Sequence, residues 1–223
     1  MAFHAAYQYW NLRGVLAERW AHGPTFGSYR EGPDFINLLP ANEEDMRLVA
    51  AYGLRGASLI AEGGKWTEGA IALAEKWLVD AYTTLEPRRT TSIRTQVVGL
   101  YPVKDPERAS RKLRERFYKD EELSKVVPSR FVFFHAAVEI MALEAPPPAS
   151  IVVGVYGPPH RDQGFFGFPD GERDGEWWMC IRAVSHQTDE DGLEAPATGW
   201  NNLIQLQRDF DGVARTVLPS LVA

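Results

Sequence analysis

Two histidines stand in matching tetrapeptides, Phe3-His4-Ala5-Ala6 and Phe134-His135-Ala136-Ala137. On an extended strand His4, Ala6 and Gln8 share one face, and so do His135, Ala137 and Glu139. If the two segments face each other, these side chains line a polar groove, with Trp178 as an aromatic wall. A His135–Glu139 pair there could transfer a proton. The plainer reading of each histidine is a hydrogen-bonded core residue. The single cysteine, Cys180, shares a strand face with Trp178, Arg182 and His186. Residues six apart on a strand lie roughly 20 Å apart, so His186 cannot activate the thiol. A buried free cysteine is the expectation.

The stretch from His160 to Gly175 is rich in glycine and carries Phe165, Phe166 and Phe168 among Gly164 and Gly167. Aromatics in such a loop suit an interface anchor. Asp170, Glu172 and Asp174 would add charge complementarity to a basic partner. His160-Arg161-Asp162 starts like a kinase catalytic loop, but Gly167 stands where that loop needs Asn. Between Lys104 and Lys119 the charge reverses: Lys104, Arg108, Arg111, Lys112, Arg114, Arg116 and Lys119 outnumber Asp105, Glu107 and Glu115. This helix is the one segment expected to suit a phosphate-rich partner, although a solvated helix face explains it as well. Phosphate-binding loops, dinucleotide fingerprints, nucleophile elbows and zinc-helix motifs are absent, and the histidines have no zinc spacing. No cofactor is expected, and the balance leans against catalysis.

The elements that would position these residues follow from pattern. The chain has 223 residues and carries 30 Asp+Glu against 24 Lys+Arg. Its 45% hydrophobic content excludes a disordered chain, and its one cysteine excludes a disulfide scaffold. No apolar run reaches the roughly 18–20 residues of a membrane span. Met1-Ala2-Phe3-His4 lacks the start of a signal peptide, so a cytoplasmic location without membrane contact is expected. The acidic balance argues against general nucleic-acid binding.

Strands are expected at 3–12, 14–22, 34–39 and 91–103, and a hairpin at 46–52 and 57–61, with a turn-rich stretch at 25–33. A helix over 67–85 places Ala70, Ala74, Trp77, Ala81 and Leu85 on one stripe, and Pro87 stops it. Pro106 opens a second helix. Further strands are expected at 131–143, 150–156 and 176–186. A last helix over 198–217, with Thr198 as N-cap, carries Leu203, Leu206, Phe210, Val213 and Val217.

The halves also look related. At a nearly constant offset, Gly23-Pro24 matches Gly157-Pro158, and Met46 and Ala50 match Met179 and Ala183. Ile71, Leu73, Ala81, Thr83 and Leu85 likewise match Ile204, Leu206, Ala214, Thr216 and Leu218. The expectation is an α+β fold: an internally duplicated antiparallel sheet with long amphipathic helices packed on it, each half reading strand-strand-strand-helix. Residues 1–104 would form the first repeat, 105–128 a basic helix and connector, and 129–223 the second repeat.

Two resemblances belong to this layout. The run Trp77-Leu78, Tyr82, Leu85 and Pro87, followed by Ile93-Arg94, Pro106 and a short helix, resembles the middle of a sporadically distributed prokaryotic family without an established function. The acidic loop before a terminal amphipathic helix is similar too. This resemblance covers about half the chain and brings no catalytic residues. The strand Glu176-Trp177-Trp178-Met179-Cys180-Ile181-Arg182 before an acidic turn is similar to GyrI-like small-molecule-binding domains, which are duplicated α+β modules around a ligand groove.

Three functions are therefore expected, in order. The first is a non-enzymatic interaction protein of accessory or immunity type, using loop 160–175. The second is a small-molecule-binding module with a groove at His4, Gln8, His135, Glu139 and Trp178. The third is an enzyme using a His–Glu pair.

Overall fold

The computed structural model describes residues 6–21, 25–33, 35–40, 47–53, 56–62, 68–87, 89–118, 137–142, 149–157, 177–194 and 197–221. These form an α+β fold with two four-stranded antiparallel sheets, and the chain divides into two compact units. One unit holds Met1–Ile93 and Thr188–Trp200, the other Arg94–Gln187 and Asn201–Ala223.

The first unit opens with a helix, α1 (Ala6–Trp20), where the sequence suggests two strands. Aromatic residues give this segment its β-like composition, and Gly14 interrupts it. Leu16, Ala17, Trp20 and Ala21 nevertheless recur at helical spacing, and all are buried. Tertiary burial overrides local propensity here. The stretch predicted as turns contains a strand, β1 (Phe26–Glu31), followed by β2 (Phe35–Pro40), β3 (Arg47–Gly53) and β4 (Gly56–Glu62). They form a meander in sequence order. The β3–β4 hairpin closes at Gly53 and Gly56, as their spacing predicts. Helix α2 (Glu68–Leu85) then packs Trp77, Ala81 and Leu85 with α1 and with Phe26, Ile36, Leu38, Ala50 and Tyr52 of the sheet.

Polar ties fix this packing. The Trp20 indole Nε1–H donates to Asp80 at 2.6 Å, Arg19 pairs with the same carboxylate, and Arg19 also donates to Thr84 at 3.0 Å. The Tyr52 hydroxyl donates to the Arg13 carbonyl at 2.6 Å, joining sheet to helix. The acidic loop after the last strand belongs to this unit. Its Leu193 N–H donates to the Thr90 carbonyl at 2.8 Å, and Arg89 donates to the Glu190 carbonyl at 3.0 Å.

The second sheet has the order β5-β8-β7-β6, from β5 (Ser92–Pro102), β6 (Ala137–Ala142), β7 (Ala149–Tyr156) and β8 (Trp178–Thr188). Strand β5 therefore joins the later sheet, although the sequence places it in the first repeat. Two bonds bracket the β5/β8 pair: Val103 N–H to Trp177 O at 2.9 Å and Asp189 N–H to Thr91 O at 3.0 Å. Helix α3 (Pro106–Phe117) begins at the predicted proline, and the Asp105 carboxylate caps it by accepting from Arg108 N–H at 2.9 Å. Helix α4 (Ala197–Leu221) starts before Thr198, whose N–H donates to the Glu194 carbonyl, so Thr198 is not its cap. Both helices cover one face of the sheet. Ala109 and Leu113 of α3 and Leu206, Phe210, Ala214 and Val217 of α4 pack with Ile151, Val153, Val155, Met179, Ile181 and Ala183.

The order of elements is loosely compatible with the expected duplication. Among the described residues the first half runs helix, four-strand meander, long helix (α1-β1-β2-β3-β4-α2), and the second runs helix, three-strand meander, long helix (α3-β6-β7-β8-α4). A fourth strand lies beside the third in both, but it comes last in chain order as β4 and first as β5. The matching tetrapeptides do not share structure at their described ends: Ala6 is helical and Ala137 is in a strand.

Two glycines test the packing in opposite directions. A Cβ on Gly14 would meet nothing within 4 Å, so Gly14→Ala is expected to raise stability by roughly 0.5–1 kcal/mol. A Cβ on Gly99 would come within 2.5 Å of the Phe210 ring, so Gly99→Ala is expected to lower it by roughly 1–3 kcal/mol. Urea unfolding of both variants checks the signs.

Candidate functional site

Strand β7 has no polar phase, and every residue from Ile151 to Tyr156 is buried. A strand buried on both faces must be central. Its odd-numbered residues meet α3 and α4. On the other face the register aligns Val152 with Arg182, Gly154 with Cys180 and Tyr156 with Trp178. Strand β6 extends these rows, placing Glu139 beside Val152 and Ala137 beside Gly154. This second face therefore gathers Glu139, Tyr156, Trp178, Cys180 and Arg182.

Position within the face decides its chemistry. Val152, Tyr156 and Cys180 form a small buried cluster, with Leu100 and Ala137 against it. The Tyr156 ring folds back over Gly154, where a Cβ would come within 2.6 Å of it. Burial pushes the Cys180 thiol up to about 12, and Arg182 opposes that shift only in part. Burial also raises the Tyr156 phenol, with the neighbouring Cys180 adding to the rise and Arg182 again opposing it. At neutral pH both groups keep their protons, so neither acts as a nucleophile or base. Cys180 is a buried free thiol, as the sequence predicts. Strand β8 runs unbroken to Thr188, so His186 stays far along it from Cys180.

The predicted site residues are distributed unevenly. Glu139 and Trp178 share the face just described, Glu139 exposed on the edge strand and Trp178 half-buried. Gln8 lies in α1, so the strand alternation expected for it does not apply. His4 and His135 lie outside the described residues, as do His160, Arg161, Phe165, Phe166, Phe168, Asp170, Glu172 and Asp174. The basic residues Arg108, Arg111, Lys112, Arg114 and Arg116 are all on α3. Arg108, Arg111 and Arg116 are exposed, and Lys112 and Arg114 are half-buried.

Sequence reasoning missed the surface beside that helix. Among the described residues β6 has one neighbour, β7, and is therefore an edge. It exposes Ile140 (43%) and Met141 (60%) on opposite faces. The Tyr118 hydroxyl donates to the Ala137 carbonyl, tying the end of α3 to the start of β6. Phe117 and Tyr118 are themselves partly exposed there. The available signal was the pair Ile140-Met141, which breaks the alternation of a half-buried strand.

The state of the thiol sets a pH dependence. Unfolded, Cys180 would ionise near its ordinary 9.0; folded, it holds its proton to about 12. Its contribution to stability is thus intact below pH 9 and is lost as pH rises from there through 12. Between pH 9 and 10.5 the wild type should lose up to about 1.4 kcal/mol per pH unit more than Cys180→Ala. Urea midpoints across that range measure the difference, and parallel curves would contradict it.

Among the described residues no helix is long and apolar enough to cross a membrane. Compared with protein-family models, curated proteins and solved structures, the chain matches none, so its site is read from its own chemistry.

Proposed function

We propose that this protein acts by binding another protein, in the accessory or immunity manner, in the cytoplasm and without catalysis of its own. The observation that carries this reading is the contrast between two equivalent edge strands. β1 and β6 each begin a meander and end a sheet. β1 has the marks of a protected edge. Its register shifts between Phe26 and Ser28, it carries Arg30 and Glu31, and Glu31 pairs with Arg13. β6 pairs with β7 in continuous register and shows Ile140 and Met141 to solvent. Its one charge is Glu139, and among the described residues its outer side is unpaired; an edge that shows apolar side chains in regular register is a template for an added strand. The raised thiol and phenol support the non-catalytic part of the reading.

The phenylalanine loop remains a second contact in this proposal, with its acidic residues toward a basic patch of the partner. The small-molecule alternative draws on Glu139, Trp178 and Arg182 sharing one sheet face, but the buried Val152 and Tyr156 lie among them.

Affinity capture from cells producing the protein tests the proposal. Ile140→Lys with Met141→Lys should keep the unfolding free energy from urea titration within about 0.5 kcal/mol, as surface changes do. The same double variant should retain at least about tenfold less of the protein that the wild type holds. Equal retention by wild type, this variant and a Phe165→Ala/Phe166→Ala variant would overturn the reading.

A further inference from the structure

We infer that helix α4 and the sheet of the second unit bind one water molecule between them, held by Ser185 and Asn202 with Thr95 at its rim. The site is independent of the strand-binding reading. Ser185 and Asn202 both belong to the second unit, and both are buried, at 2% and 6% exposure. Among the described residues neither the Ser185 Oγ nor the Asn202 Nδ2 has a hydrogen-bond partner. Native interiors rarely leave a buried hydroxyl or amide unmet, because each gave up its bonds to solvent on folding. Two such groups on elements that pack together therefore point to a shared polar guest.

Register brings the two groups to one level. The bonds from Val103 to Trp177 and from Asp189 to Thr91 enclose equal lengths of β5 and β8, which aligns Thr95 with Ser185 and Gly99 with Ile181. On its other side Ser185 pairs with Ala149 of β7. Val97, Ile181 and Ala183 lie on the helix-covered face, and Thr95 and Ser185, two residues along their strands, share it. Two glycines locate α4 over these rows. A Cβ on Gly99 would come within 2.5 Å of the Phe210 ring, and one on Gly199 within 3.3 Å of Ile93. Helix α4 therefore follows β5 in the same direction. Asn202 stands about 4.5 Å along the helix from Gly199, and Thr95 about 6.6 Å along the strand from Ile93. Asn202 thus lies over the row of Thr95, Ser185 and Ala149, one turn before the buried Leu206. Phe210 fills the space above Gly99, but this row holds no side chain larger than threonine, so short polar groups meet through a molecule between them. Water accepts from the Asn202 amide and bonds either hydroxyl, and the half-buried Thr95 supplies a third partner. An ion would find no charge in this row to compensate it, and an apolar guest would leave the amide unmet.

A crystal structure of the full chain tests the site directly. It should show one ordered water within hydrogen-bond distance of both the Ser185 Oγ and the Asn202 Nδ2. A direct bond between these two atoms would overturn the inference, as would a bond from either to another protein group in place of the water, or the lack of ordered water there. Urea unfolding of Ser185→Ala, Asn202→Leu and the double variant gives a second readout. Each single variant strands the water on fewer partners and should lower the midpoint. The double variant replaces both partners by apolar groups and displaces the water, so its midpoint should fall by less than the two single losses combined. Losses that simply add would show two independent groups and overturn the shared site.

Discussion

The second unit depends on one constraint: strand β7 is buried on both faces. A strand whose two faces are both apolar cannot lie at an edge or leave one side wet. Its odd-numbered residues require a helical layer, which α3 and α4 supply. Its even-numbered residues require a dry second face, and Val152, Tyr156 and Cys180 form one. The protonated state of Cys180 follows from that position. So does the placement of β6, since centring β7 between β8 and another strand puts β6 at the rim.

The same constraint separates the two kinds of polar group in this unit. Groups drawn into the second face lose their reactivity, because desolvation disfavours their charged forms. On α3 only Ala109, Ser110 and Leu113 are buried, so its charged residues lie outside the core. Chemistry that needs a shifted, reactive side chain is therefore disfavoured where the titratable groups are buried. An acidic chain carrying a basic helix is a consequence of which residues the sheet needed for its core and which it left outside.

Much of this fold was legible because punctuation bounds its elements. Pro87 ends α2, Pro106 opens α3, Gly53 and Gly56 mark a hairpin, and Gly157-Pro158 follows β7. Along β8 the alternation was clear enough to place Cys180 and Arg182 on one face. Other elements were hidden for physical reasons. Helix α1 is set by what Leu16 and Trp20 touch, and its own aromatic composition points toward a strand. Strand β1 buries only Phe26 and is held by backbone pairing to β2, which leaves no side-chain signature. The face of β7 that carries Tyr156 could not be distinguished from its opposite, because a continuous apolar run has no phase. The edge character of β6 depends on strand order, a tertiary property. The expected His4–His135 groove falls on residues outside those described, and only Glu139 and Trp178 of that set are placed on a common face.

The relation between the halves turns this into an argument about origin. They share a helix, a meander and a long helix, and differ in whether the fourth strand comes after the meander or before it. A strand that can be supplied from either end of the chain is the most replaceable part of the unit. The meander is the shared part, and among the described residues its first strand is the edge in both halves. An edge that recurs in both halves is a recurrent hazard, because exposed backbone groups invite unwanted pairing. In the first unit β1 counters that hazard with a shifted register and charge. β6 keeps a continuous register with β7 and carries one charged residue, Glu139. The two edges therefore differ in how their backbone groups are guarded, β1 by an irregular register and an ion pair, β6 by a single carboxylate at Glu139.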